Sequence, residues 1–560
     1  MERIAKELLA KKQGFLFGNE AVVRGALEAG VAFVSSYPGT PASEIGDTFR
    51  KISCETRLYF EYSTNEKVAL EAAAGAAFSG VKAMVSMKHY GLNVALDSLL
   101  PLVYLECPLV IVVSDDPGCW SSVQTEEDTR WISHLGNIPT FEPSNPKEAK
   151  EMTKMAFDLA GQYKIPVLIH LTTRVCYWRD LVLYEPLPQK IKFTGKFPKD
   201  PQGFKVGSAR TIELHQKLLA KIKKIKKETS EKSLFNKIFA GKGEVGIISS
   251  GISFFYVKEA IKDLKINPPL LKIGESYPFP ENKVKKFLVN LKKVLIVEEE
   301  DPILEGEVKK IVGGLKIKIY GKEMFSEAGE YKPEDVLIVL AKIFKKSMPI
   351  NLKENIKNFS PAKIDKRIPS FCPGCPHQPV FYAVREVLGK DKIYGGDIGC
   401  YLLGAMPPFY GEDFIVAMGA GIGISHGISQ TNKKKPVAFI GDSTFFHAGI
   451  PALINLIFNQ ADILVIILNN HFTSMTGQQP HPETGENARG ITKKIAIEDV
   501  VKSIQVDWVK TVSAYNLTEL KKALKEGYEK KGVCVLITEG PCRLGKRLKG
   551  GTLKSPVVER

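Results

Sequence analysis

The chain has 560 residues, of which 44% are hydrophobic and 25% are charged, as in folded globular proteins and unlike disordered or fibrous chains. At about 150 residues a domain, this length predicts three to four domains. The 78 Lys and Arg residues outnumber the 62 Asp and Glu residues and give a net charge of +16. Because the excess lies in short lysine runs without interleaved aromatic residues, it indicates solvated surface and argues against nucleic-acid binding.

The sequence carries no signal for export or membrane insertion. The start, MERIAKELLAKKQG, has neither the apolar stretch nor the small-residue cleavage site of a signal peptide, and no apolar run reaches the length of a bilayer helix. The nine cysteines are an odd number spread over the whole chain, which argues against a disulfide framework. We therefore expect a cytoplasmic protein that does not enter a membrane.

Residues 1–185 alternate short apolar strand-like runs with helical periods, a pattern that predicts βαβ units and a parallel sheet. The predicted elements, in chain order, are VAFVSSYPG, EKVALEAAAGAAFSG, AMVSM, PLVIVVSDD, EAKEMTKMAFDLAGQY and IPVLIHLTT. Residues 186–241 are rich in Pro, Gly and Lys and are predicted to be a linker with one helix, SARTIELHQKLLAKIKKIKKE.

Two further α/β blocks follow. Residues 242–345 contain the predicted elements EVGIISSG, YVKEAIKDLK, LLKIGE, KKVLIVEEED and KIKIYGK, and the polar residues 346–369 are predicted to be a second linker. The third block, residues 370–560, contains DFIVAMGAG, KPVAFIGDS, DILVIILNN, VDWVKTV, TELKKALKEGYEK and GVCVLITEG. The predicted fold class is therefore α/β with three α/β domains in series.

Polar residues end two of the predicted strands of the third block. Asp442 follows the first strand within Gly441-Asp442-Ser443, and Asn470 follows the next strand. In a parallel sheet ligands collect at the carboxyl ends of the strands, and carboxylate and amide oxygens suit Mg²⁺, which in turn carries phosphates. The pattern is similar to the thiamine diphosphate motif, GDG followed by NN, with Ser443 in place of the last glycine. Two ordinary strand-end turns are the alternative.

Four cysteines of the third block predict a metal centre. Cys372 and Cys375 form CPGCPH, Cys400 follows in GGDIGC, and Cys542 lies in EGPC. A zinc ribbon needs a second close pair, whereas one pair with two remote cysteines fits a 4Fe-4S cluster. A zinc or redox CxxC pair with two buried cysteines is the alternative. The other five cysteines are predicted to be core residues: Cys54, Cys107, Cys119, Cys176 and Cys534.

The chain as a whole resembles the thiamine-dependent 2-oxoacid:ferredoxin oxidoreductases, in particular the alpha subunits of the indolepyruvate type. The resemblance covers nearly the whole chain, and in that family GDSTFFH is the form of the diphosphate motif. The segments of this chain that carry the resemblance are GNEAVVRGALEAGVAFVSSYPGTPASEI, MKHYGLNVALDSL, DDPGCWSSVQTEEDTRW, LKIGESYPFPE, VEEEDPILE, CPGCPHQP, GDIGCYLLG, GDSTFFHAGIP and TSMTGQQPHP.

This resemblance implies a thiamine diphosphate-binding fold: a pyrimidine-binding domain (1–185), a transketolase C-terminal-like domain (242–345) and a diphosphate-binding domain (370–560) with the cluster cysteines. It also implies roles for single residues. Glu66 matches the glutamate that contacts the aminopyrimidine, although the first-turn position in a helix would by itself favour a carboxylate. The other implied roles are magnesium ligands for Asp442, Asn470 and the Phe472 carbonyl, cluster ligands for Cys372, Cys375, Cys400 and Cys542, diphosphate contacts for Gly441, Ser443 and Gly421, and a substrate-carboxylate contact for Thr40.

The implied activity is oxidative decarboxylation of aryl 2-oxo acids of the indolepyruvate class to aryl-acetyl-CoA. The cofactors would be thiamine diphosphate, Mg²⁺ and one 4Fe-4S cluster, and the partners a smaller gamma-type subunit and coenzyme A. The family's alpha subunit usually continues into a ferredoxin-like tail, but this chain ends at GTLKSPVVER. We therefore expect electrons to pass to ferredoxin or a separate ferredoxin-like subunit in a hetero-oligomer.

Two alternative functions share these motifs: a non-oxidative thiamine-dependent decarboxylase, which would need no cluster, and a non-catalytic assembly subunit. Four histidines within the motifs are candidates for proton transfer: His89, His447, His471 and His481.

Overall fold

The computed structural model describes residues 3–10, 12–200, 203–207, 209–313, 316–349, 351, 354, 368–432 and 434–548. The chain divides into two compact units, one of residues 1–61 with 66–364 and one of residues 62–65 with 365–560. Most of the predicted linker 346–369 and the terminal GTLKSPVVER lie outside the described residues. No helix in the described part of the chain is both long and apolar enough to cross a bilayer.

The first unit contains a seven-stranded sheet built mainly from residues 33–172. In the spatial order given next, the first strand is antiparallel to its neighbour, and the four strand pairs after that are parallel. In spatial order they are β12 (Glu275–Tyr277), β6 (Thr140–Phe141), β7 (Val167–Thr172), β5 (Leu109–Asp115), β4 (Ala83–Lys88), β2 (Phe33–Ser36) and β3 (Tyr59–Tyr62). All seven residues of β5 are buried, as expected for a central strand covered by helices on both faces.

Helices connect these strands. They are α1 (Arg3–Leu8), α2 (Gly18–Ala29), α3 (Ser43–Thr56), α4 (Glu66–Phe78), α5 (His89–Tyr104), α6 (Arg130–Gly136), α7 (Pro146–Tyr163) and α8 (Thr173–Tyr177). A separate antiparallel pair joins β1 (Gln13–Phe17) to β8 (Arg179–Leu183).

The same unit holds a second, five-stranded sheet. In spatial order its strands are β14 (Lys318–Tyr320), β13 (Lys293–Val297), β10 (Val245–Ser250), β11 (Leu270–Ile273) and β9 (Lys237–Phe239), of which only β9 runs antiparallel to its neighbour. The helices of this part are α9 (Ala209–Ile225), extended by a π-helix (Lys226–Ser230), α10 (Ser253–Asp263), α11 (Glu281–Leu288), α12 (Ile303–Val312), a 3₁₀ turn (Lys322–Met324) and α13 (Pro333–Ile343). Because β12 follows β11 in the chain yet joins the first sheet, the two sheets form one unit.

The second unit is built on a fully parallel five-stranded sheet. In spatial order its strands are β15 (Tyr394–Gly395), β16 (Val437–Gly441), β17 (Ile463–Asn469), β21 (Val533–Glu539) and β20 (Trp508–Ser513), and β18 (Glu486–Asn487) pairs apart with β19 (Gly490–Ile491). The helices are α14 (His377–Leu388), α15 (Ala420–Thr431), α16 (Asp442–Thr444) with a π-turn (Phe445–Gly449), α17 (Ile450–Phe458), α18 (Ile497–Ser503), α19 (Leu517–Glu529) and α20 (Arg543–Leu548), with 3₁₀ turns at Cys400–Ala405 and Pro482–Thr484.

The α/β class with parallel sheets is confirmed, whereas the five-part division of the chain stays a prediction. The predicted element DFIVAMGAG is wrong as a strand, since only Phe414 forms an isolated bridge, to Gly395. The prediction that Cys119 belongs to the core is also wrong, because it lies exposed in the turn after β5. Cys107, Cys176 and Cys534 are buried as predicted, and the side chain of Cys54 lies outside the described residues.

Candidate functional site

The carboxyl ends of β16 and β17 bring the predicted magnesium ligands together. The two strands pair in parallel, with Gly441 opposite Leu468, so the residues that follow them emerge at one edge of the sheet. Asp442 is buried, its Oδ2 accepts a hydrogen bond from Asn470 N over 3.1 Å, and its Oδ1 accepts from Ser443 N over 2.9 Å. A strand-end carboxylate is thus held beside the loop that starts at Asn470.

That loop is ordered by its own polar groups. Asn470 Oδ1 accepts from Phe472 N over 3.1 Å and from Ser474 Oγ over 2.8 Å, and Ser474 Oγ also lies 3.4 Å from the Phe472 carbonyl. Ser443 Oγ and Thr473 Oγ1 lie 2.8 Å apart and link the loop to the start of α16. The three predicted magnesium ligands therefore belong to one hydrogen-bonded arrangement whose donor atoms are all oxygens, as Mg²⁺ prefers.

Histidine side chains lie near the Asp442 carboxylate and the Asn470 amide. His481 Nε2 lies 3.2 Å from Asp442 Oδ2. Burial acts to raise the pKa of Asp442, but His481 and the Ser443 N–H lower it overall, so the carboxylate is ionised at neutral pH. His377 Nε2 lies 3.2 Å from Asn470 Nδ2, and burial lowers the pKa of His377 to about 4. Burial also lowers the pKa of His471, whose backbone is in the left-handed region.

The four predicted cluster cysteines also converge in the second unit. The pKa of Cys375 is raised to about 12, mainly by burial and in smaller part by the charges of Cys400, Cys372 and Cys542. The pKa of Cys400 is likewise raised to about 12 by burial and then by Cys542 and Cys372. Thiols that influence one another in this way lie close together, and all four are free.

The cysteine group adjoins the magnesium-ligand loop. Cys542 N donates to the Asn470 carbonyl over 3.0 Å, and Cys375 N donates to the Cys372 carbonyl over 3.0 Å. Tyr515 holds the CxxC turn by donating its hydroxyl to the Gly374 carbonyl over 2.9 Å. One edge of this sheet therefore carries both candidate cofactor sites.

Gly421 lies at the start of α15, packed against the sheet. A Cβ at this position would lie 2.4 Å from the Gly396 carbonyl oxygen. The close approach of this carbonyl requires glycine for packing of the helix, and the predicted diphosphate contact of Gly421 stays a prediction.

In the first unit, Glu66 is the first residue of α4 and its side chain is buried. It packs against Gly91 of α5, where a Cβ would lie 2.5 Å from Glu66 Cγ and 2.7 Å from Oε1. Because only glycine leaves this space, Gly91 sets the position of the Glu66 carboxylate. The sequence pattern had identified Glu66 but not the residue that positions it.

Thr40 lies in the loop after β2, beside a polar network that sequence reasoning missed. The Thr40 carbonyl accepts from Ser121 Oγ over 3.1 Å, and Lys88 Nζ donates to Ser121 Oγ and to the Ser122 carbonyl, each over 2.8 Å. Asp116 accepts from Ser121 N over 2.8 Å and from its Oγ over 2.6 Å. Burial lowers the pKa of Lys88 to about 8, against the attraction of Asp116.

This network opens into a cavity of about 1170 Å³ within the first unit. Aromatic and basic side chains dominate its wall: Trp120, Tyr177, Trp178, Phe255, Tyr256, Tyr331, Arg174, Lys258, Lys262 and Lys332. Trp178 and Phe255 meet edge to face with ring centroids 4.7 Å apart. Such a wall suits a planar apolar group that carries an anion.

The residues present fit the groups that the motifs imply. For a magnesium-bound diphosphate the second unit offers an ionised carboxylate and amide and carbonyl oxygens, and two buried polar atoms nearby, Asn469 Nδ2 and His481 Nδ1, have no hydrogen-bond partner among the described residues. For an iron-sulfur cluster it offers four free thiols that influence one another electrostatically. Of the candidate histidines, His481 lies at Asp442, whereas His89 lies in the first unit with Nδ1 3.4 Å from the Ser114 carbonyl.

Lys88, Asp116 and His377 are functional candidates that the sequence patterns did not single out. Lys88 is the last residue of the buried strand β4, and Asp116 directly follows the buried strand β5. His377 lies two residues after Cys375 of the CxxC motif and begins α14. The position at the end of a predicted strand could have identified Lys88 and Asp116, because the same position had identified Asp442.

Two family models match regions of the chain that contain most of these residues. The family model "pyruvate flavodoxin/ferredoxin oxidoreductase, thiamine diP-binding" matches residues 24–177, and that of the C-terminal TPP-binding domain of thiamine pyrophosphate enzymes matches residues 397–538. These matches support the thiamine diphosphate-binding fold predicted for the two parallel-sheet regions.

Two relatives match over nearly the whole chain. The indolepyruvate oxidoreductase subunit IorA of Thermococcus kodakarensis is 42% identical over 98% of this chain and 89% of its own length, and that of Pyrococcus abyssi is 40% identical over 98% and 90%. A structure of 2-oxoglutarate:ferredoxin oxidoreductase from Magnetococcus marinus, with 2-oxoglutarate, coenzyme A and succinyl-CoA bound, shares the fold with a TM-score of 0.50 at 19% identity, over 59% of this chain and 65% of that one.

Proposed function

The chain belongs to the family of indolepyruvate oxidoreductase IorA subunits, thiamine diphosphate-dependent 2-oxoacid:ferredoxin oxidoreductases, and from this premise we propose that it oxidatively decarboxylates aryl 2-oxo acids to aryl-acetyl-CoA. The observation that carries the proposal is the meeting of Asp442 and Asn470 at adjacent parallel strand ends, next to four converging cysteines. A non-oxidative decarboxylase would have no use for the cysteine group.

We propose that Asp442, Asn470 and the Phe472 carbonyl hold Mg²⁺ and through it the diphosphate. Bound thiamine diphosphate supplies the nucleophilic carbon and the electron sink for decarboxylation. Gly441 and Ser443 flank Asp442, and the Ser443 N–H fixes the orientation of its carboxylate. His481, 3.2 Å from Asp442 Oδ2, keeps that carboxylate ionised.

Glu66 is proposed to hydrogen-bond the aminopyrimidine ring nitrogen, to which its carboxyl group would donate a proton and so favour the imino tautomer. Its place at the start of α4, with the side chain buried against Gly91, holds the carboxylate in one position. A buried, fixed carboxylate is suited to this task because a positioned acid or base accelerates a reaction by on the order of 10²- to 10⁴-fold.

The 2-oxo acid is proposed to enter the cavity beside Thr40. The Thr40 loop and the ammonium group of Lys88, linked through Ser121, would receive the substrate carboxylate, and the aromatic wall would receive the aryl group. At about 1170 Å³ the cavity exceeds the volume of one small substrate, which leaves room for coenzyme A as acyl acceptor.

Cys372, Cys375, Cys400 and Cys542 are proposed to hold one 4Fe-4S cluster, which would accept single electrons and pass them to ferredoxin or a separate ferredoxin-like subunit. A smaller gamma-type subunit is proposed to complete a hetero-oligomer. Free thiols that adjoin the Asn470 loop support this arrangement, because the electron donor and acceptor would then lie at one edge of the sheet.

The proposal is tested on the anaerobically reconstituted complex with its gamma-type partner. With coenzyme A present, we expect viologen reduction with indolepyruvate and phenylpyruvate at a kcat/KM at least about 10-fold above that with pyruvate, the discrimination of a hydrophobic pocket. Carbon dioxide release without dye reduction would instead establish the non-oxidative decarboxylase. Unchanged turnover in Glu66→Gln would establish an assembly subunit.

The aryl specificity has its own matched pair of variants. Trp178→Ala removes one wall of the cavity and should lower kcat/KM for indolepyruvate more than for pyruvate, whereas Phe193→Ala, an exposed aromatic outside the cavity, should change neither. Equal losses on both substrates in Trp178→Ala would contradict the assignment of this cavity to the aryl group.

A further inference from the structure

A second group of metal-ligating side chains lies in the first unit, apart from the diphosphate motif and the cysteines. Asp115 ends β5, His170 lies in the neighbouring strand β7, and Asp128 immediately precedes Thr129 and α6. Glu300 comes from the other sheet, shortly after β13, and its φ of 57° places it in the left-handed region. Residues from both sheets of the unit and from the segments that follow their strands therefore supply the group.

These four side chains converge on one point. One ligand atom from each lies within 4.8 Å of those of the other three. His170 Nε2 is 2.8 Å from Asp115 Oδ2 and 3.7 Å from Glu300 Oε2. A separation of up to 4.8 Å between ligand atoms is what two opposite ligands show when each lies about 2.4 Å from one ion.

A small cavity adjoins the group and is lined by buried polar atoms without partners. The cavity, about 20 Å³, is lined by His170, Glu300, Glu142, Thr172 and Ser253, among others. Among the described residues, Glu300 Oε1, Glu142 Oε1, Thr172 Oγ1 and Ser253 Oγ are buried and have no hydrogen-bond partner. Ser253 is fully buried, and the Glu300 side chain is 7% exposed.

Buried polar atoms of this kind are costly unless something pairs with them. Four unpartnered oxygens around a space large enough for one ion or one water molecule therefore point to a bound species. A cation satisfies all four oxygens. One water molecule does so as well, by donating to the two carboxylate oxygens and accepting from the two hydroxyls, so it is the convergence of four metal-ligating atoms that favours a cation.

The surrounding charge also favours a cation. Six buried carboxyl groups lie around the cavity and in the network beside it: Asp115, Asp128, Glu142, Glu298, Glu299 and Glu300. Two permanent cations face them. Arg130 contacts Asp128 at 2.6 Å, Glu298 at 3.0 Å and Glu142 at 3.8 Å, and Lys322 Nζ donates to the Glu298 carbonyl over 2.9 Å.

We propose that Asp115, Asp128, His170 and Glu300 bind one hard divalent cation, which joins the two sheets of the first unit. The ligand set of three carboxylates and one imidazole, with the Ser253 and Thr172 hydroxyls beside it, suits Mn²⁺, Mg²⁺ or Ca²⁺. When the cation binds, the proton that His170 Nε2 shares with Asp115 is released to solvent, and the lone pair of Nε2 then coordinates the cation. The site is distinct from the diphosphate motif, and its role is structural.

The probe is Mn²⁺, titrated into chelator-treated complex without thiamine diphosphate and followed by electron paramagnetic resonance. We expect one Mn²⁺ per chain in wild type and in Asp442→Asn, which lacks a ligand of the proposed magnesium site. Glu300→Gln should weaken binding by roughly 10- to 100-fold, whereas Glu327→Gln, an exposed residue of the same unit, should bind as wild type. The bound ion should also show a nitrogen coupling from imidazole that His170→Gln removes.

Crystals of the wild-type complex grown with Mn²⁺ give a test that needs no variant. An anomalous peak about 2.2 Å from a Glu300 carboxylate oxygen is expected. A water molecule in the cavity under those conditions, or Mn²⁺ binding that is lost in Asp442→Asn and kept in Glu300→Gln, would overturn the proposal.

Discussion

Asn470 donates its backbone N–H to Oδ2 of Asp442 over 3.1 Å, although 28 positions separate the two residues in the chain. The contact exists because β16 and β17 are adjacent and parallel, so the residues that follow them meet at one sheet edge. The buried carboxylate is also held by Ser443 N and His481. Groups of the chain itself therefore fix the position of this carboxylate.

Asp442→Asn should abolish most of the affinity for magnesium-bound thiamine diphosphate. The amide keeps the shape but removes the negative charge that would bind the ion, so we expect the Kd for thiamine diphosphate to rise by roughly 100-fold, with the apo protein folded. Isothermal titration with Mg²⁺ present measures this. Asp499→Asn, an exposed residue of the same unit, is the control, and equal affinities of both variants would count against the site.

Gly91→Ala should impair the enzyme through Glu66. The added Cβ would lie 2.5 Å from Glu66 Cγ, so the carboxylate must move, while the Asp442 site of the other unit is untouched. We expect hydrogen–deuterium exchange at the reactive carbon of bound thiamine, followed by NMR, to slow by about 10-fold or more, approaching Glu66→Gln, for which about 10²-fold is expected.

Gly75→Ala is the matched control for this steric effect. Gly75 lies on the same helix as Glu66, and a Cβ there meets nothing within 4 Å. Exchange should be as in wild type, with stability equal or slightly higher since alanine favours helix over glycine. If Gly75→Ala and Gly91→Ala slowed exchange equally, a general disturbance of α4 would explain both and the positioning role of Gly91 would be lost.

The sequence predicted the parts of the site that follow from local pattern. β16 and β17 are short apolar runs whose residues are all buried, and such runs predict central parallel strands whose ends carry ligands. The position of Asp442 beside Asn470 followed from this rule. The convergence of Cys372, Cys375, Cys400 and Cys542 was implied by a family resemblance, because cysteine spacing alone left a zinc or redox pair open.

What could not be predicted depends on contacts between distant segments. Arg130 reaches Glu298, 168 positions away, and Lys88 reaches Ser121, 33 positions away, and neither pair has a local signature. Cys119 was misplaced in the core because it follows an apolar run, although that run ends at Asp115 and a turn exposes the thiol. DFIVAMGAG is apolar enough for a strand but pairs only at Phe414.

The pH dependence of kcat/KM should report Lys88. Burial lowers the pKa of this ammonium to about 8, with Asp116, Cys119 and Asp115 as the charged groups that oppose the shift. Lys88 is therefore charged at pH 7 and loses its charge as the pH rises through about 8, so kcat/KM for a carboxylate substrate should fall by roughly 10- to 100-fold, the effect of one charged hydrogen bond.

In Lys88→Arg the decrease in kcat/KM should occur above the measured pH range, since a guanidinium keeps its proton. Lys88→Met should give a low kcat/KM that does not change near pH 8. Steady-state profiles between about pH 6.5 and 9.5 measure all three proteins. Superimposable wild-type and Lys88→Arg profiles would show that another group titrates.

Cys400→Ser should remove the iron-sulfur cluster while Cys534→Ala retains it. Both cysteines lie in the second unit, but Cys400 is one of the four converging thiols, and Cys534 is buried within β21, where burial raises its pKa and Lys435 lies 3.7 Å from the sulfur. A cluster that loses one of four thiolate ligands loses most of its stability, so iron content and the broad absorption near about 400 nm should both collapse in Cys400→Ser. Anaerobic purification with iron and zinc analysis measures this. Stoichiometric zinc without iron in wild type would favour the zinc pair instead, and equal iron in the two variants would exclude Cys400 as a ligand.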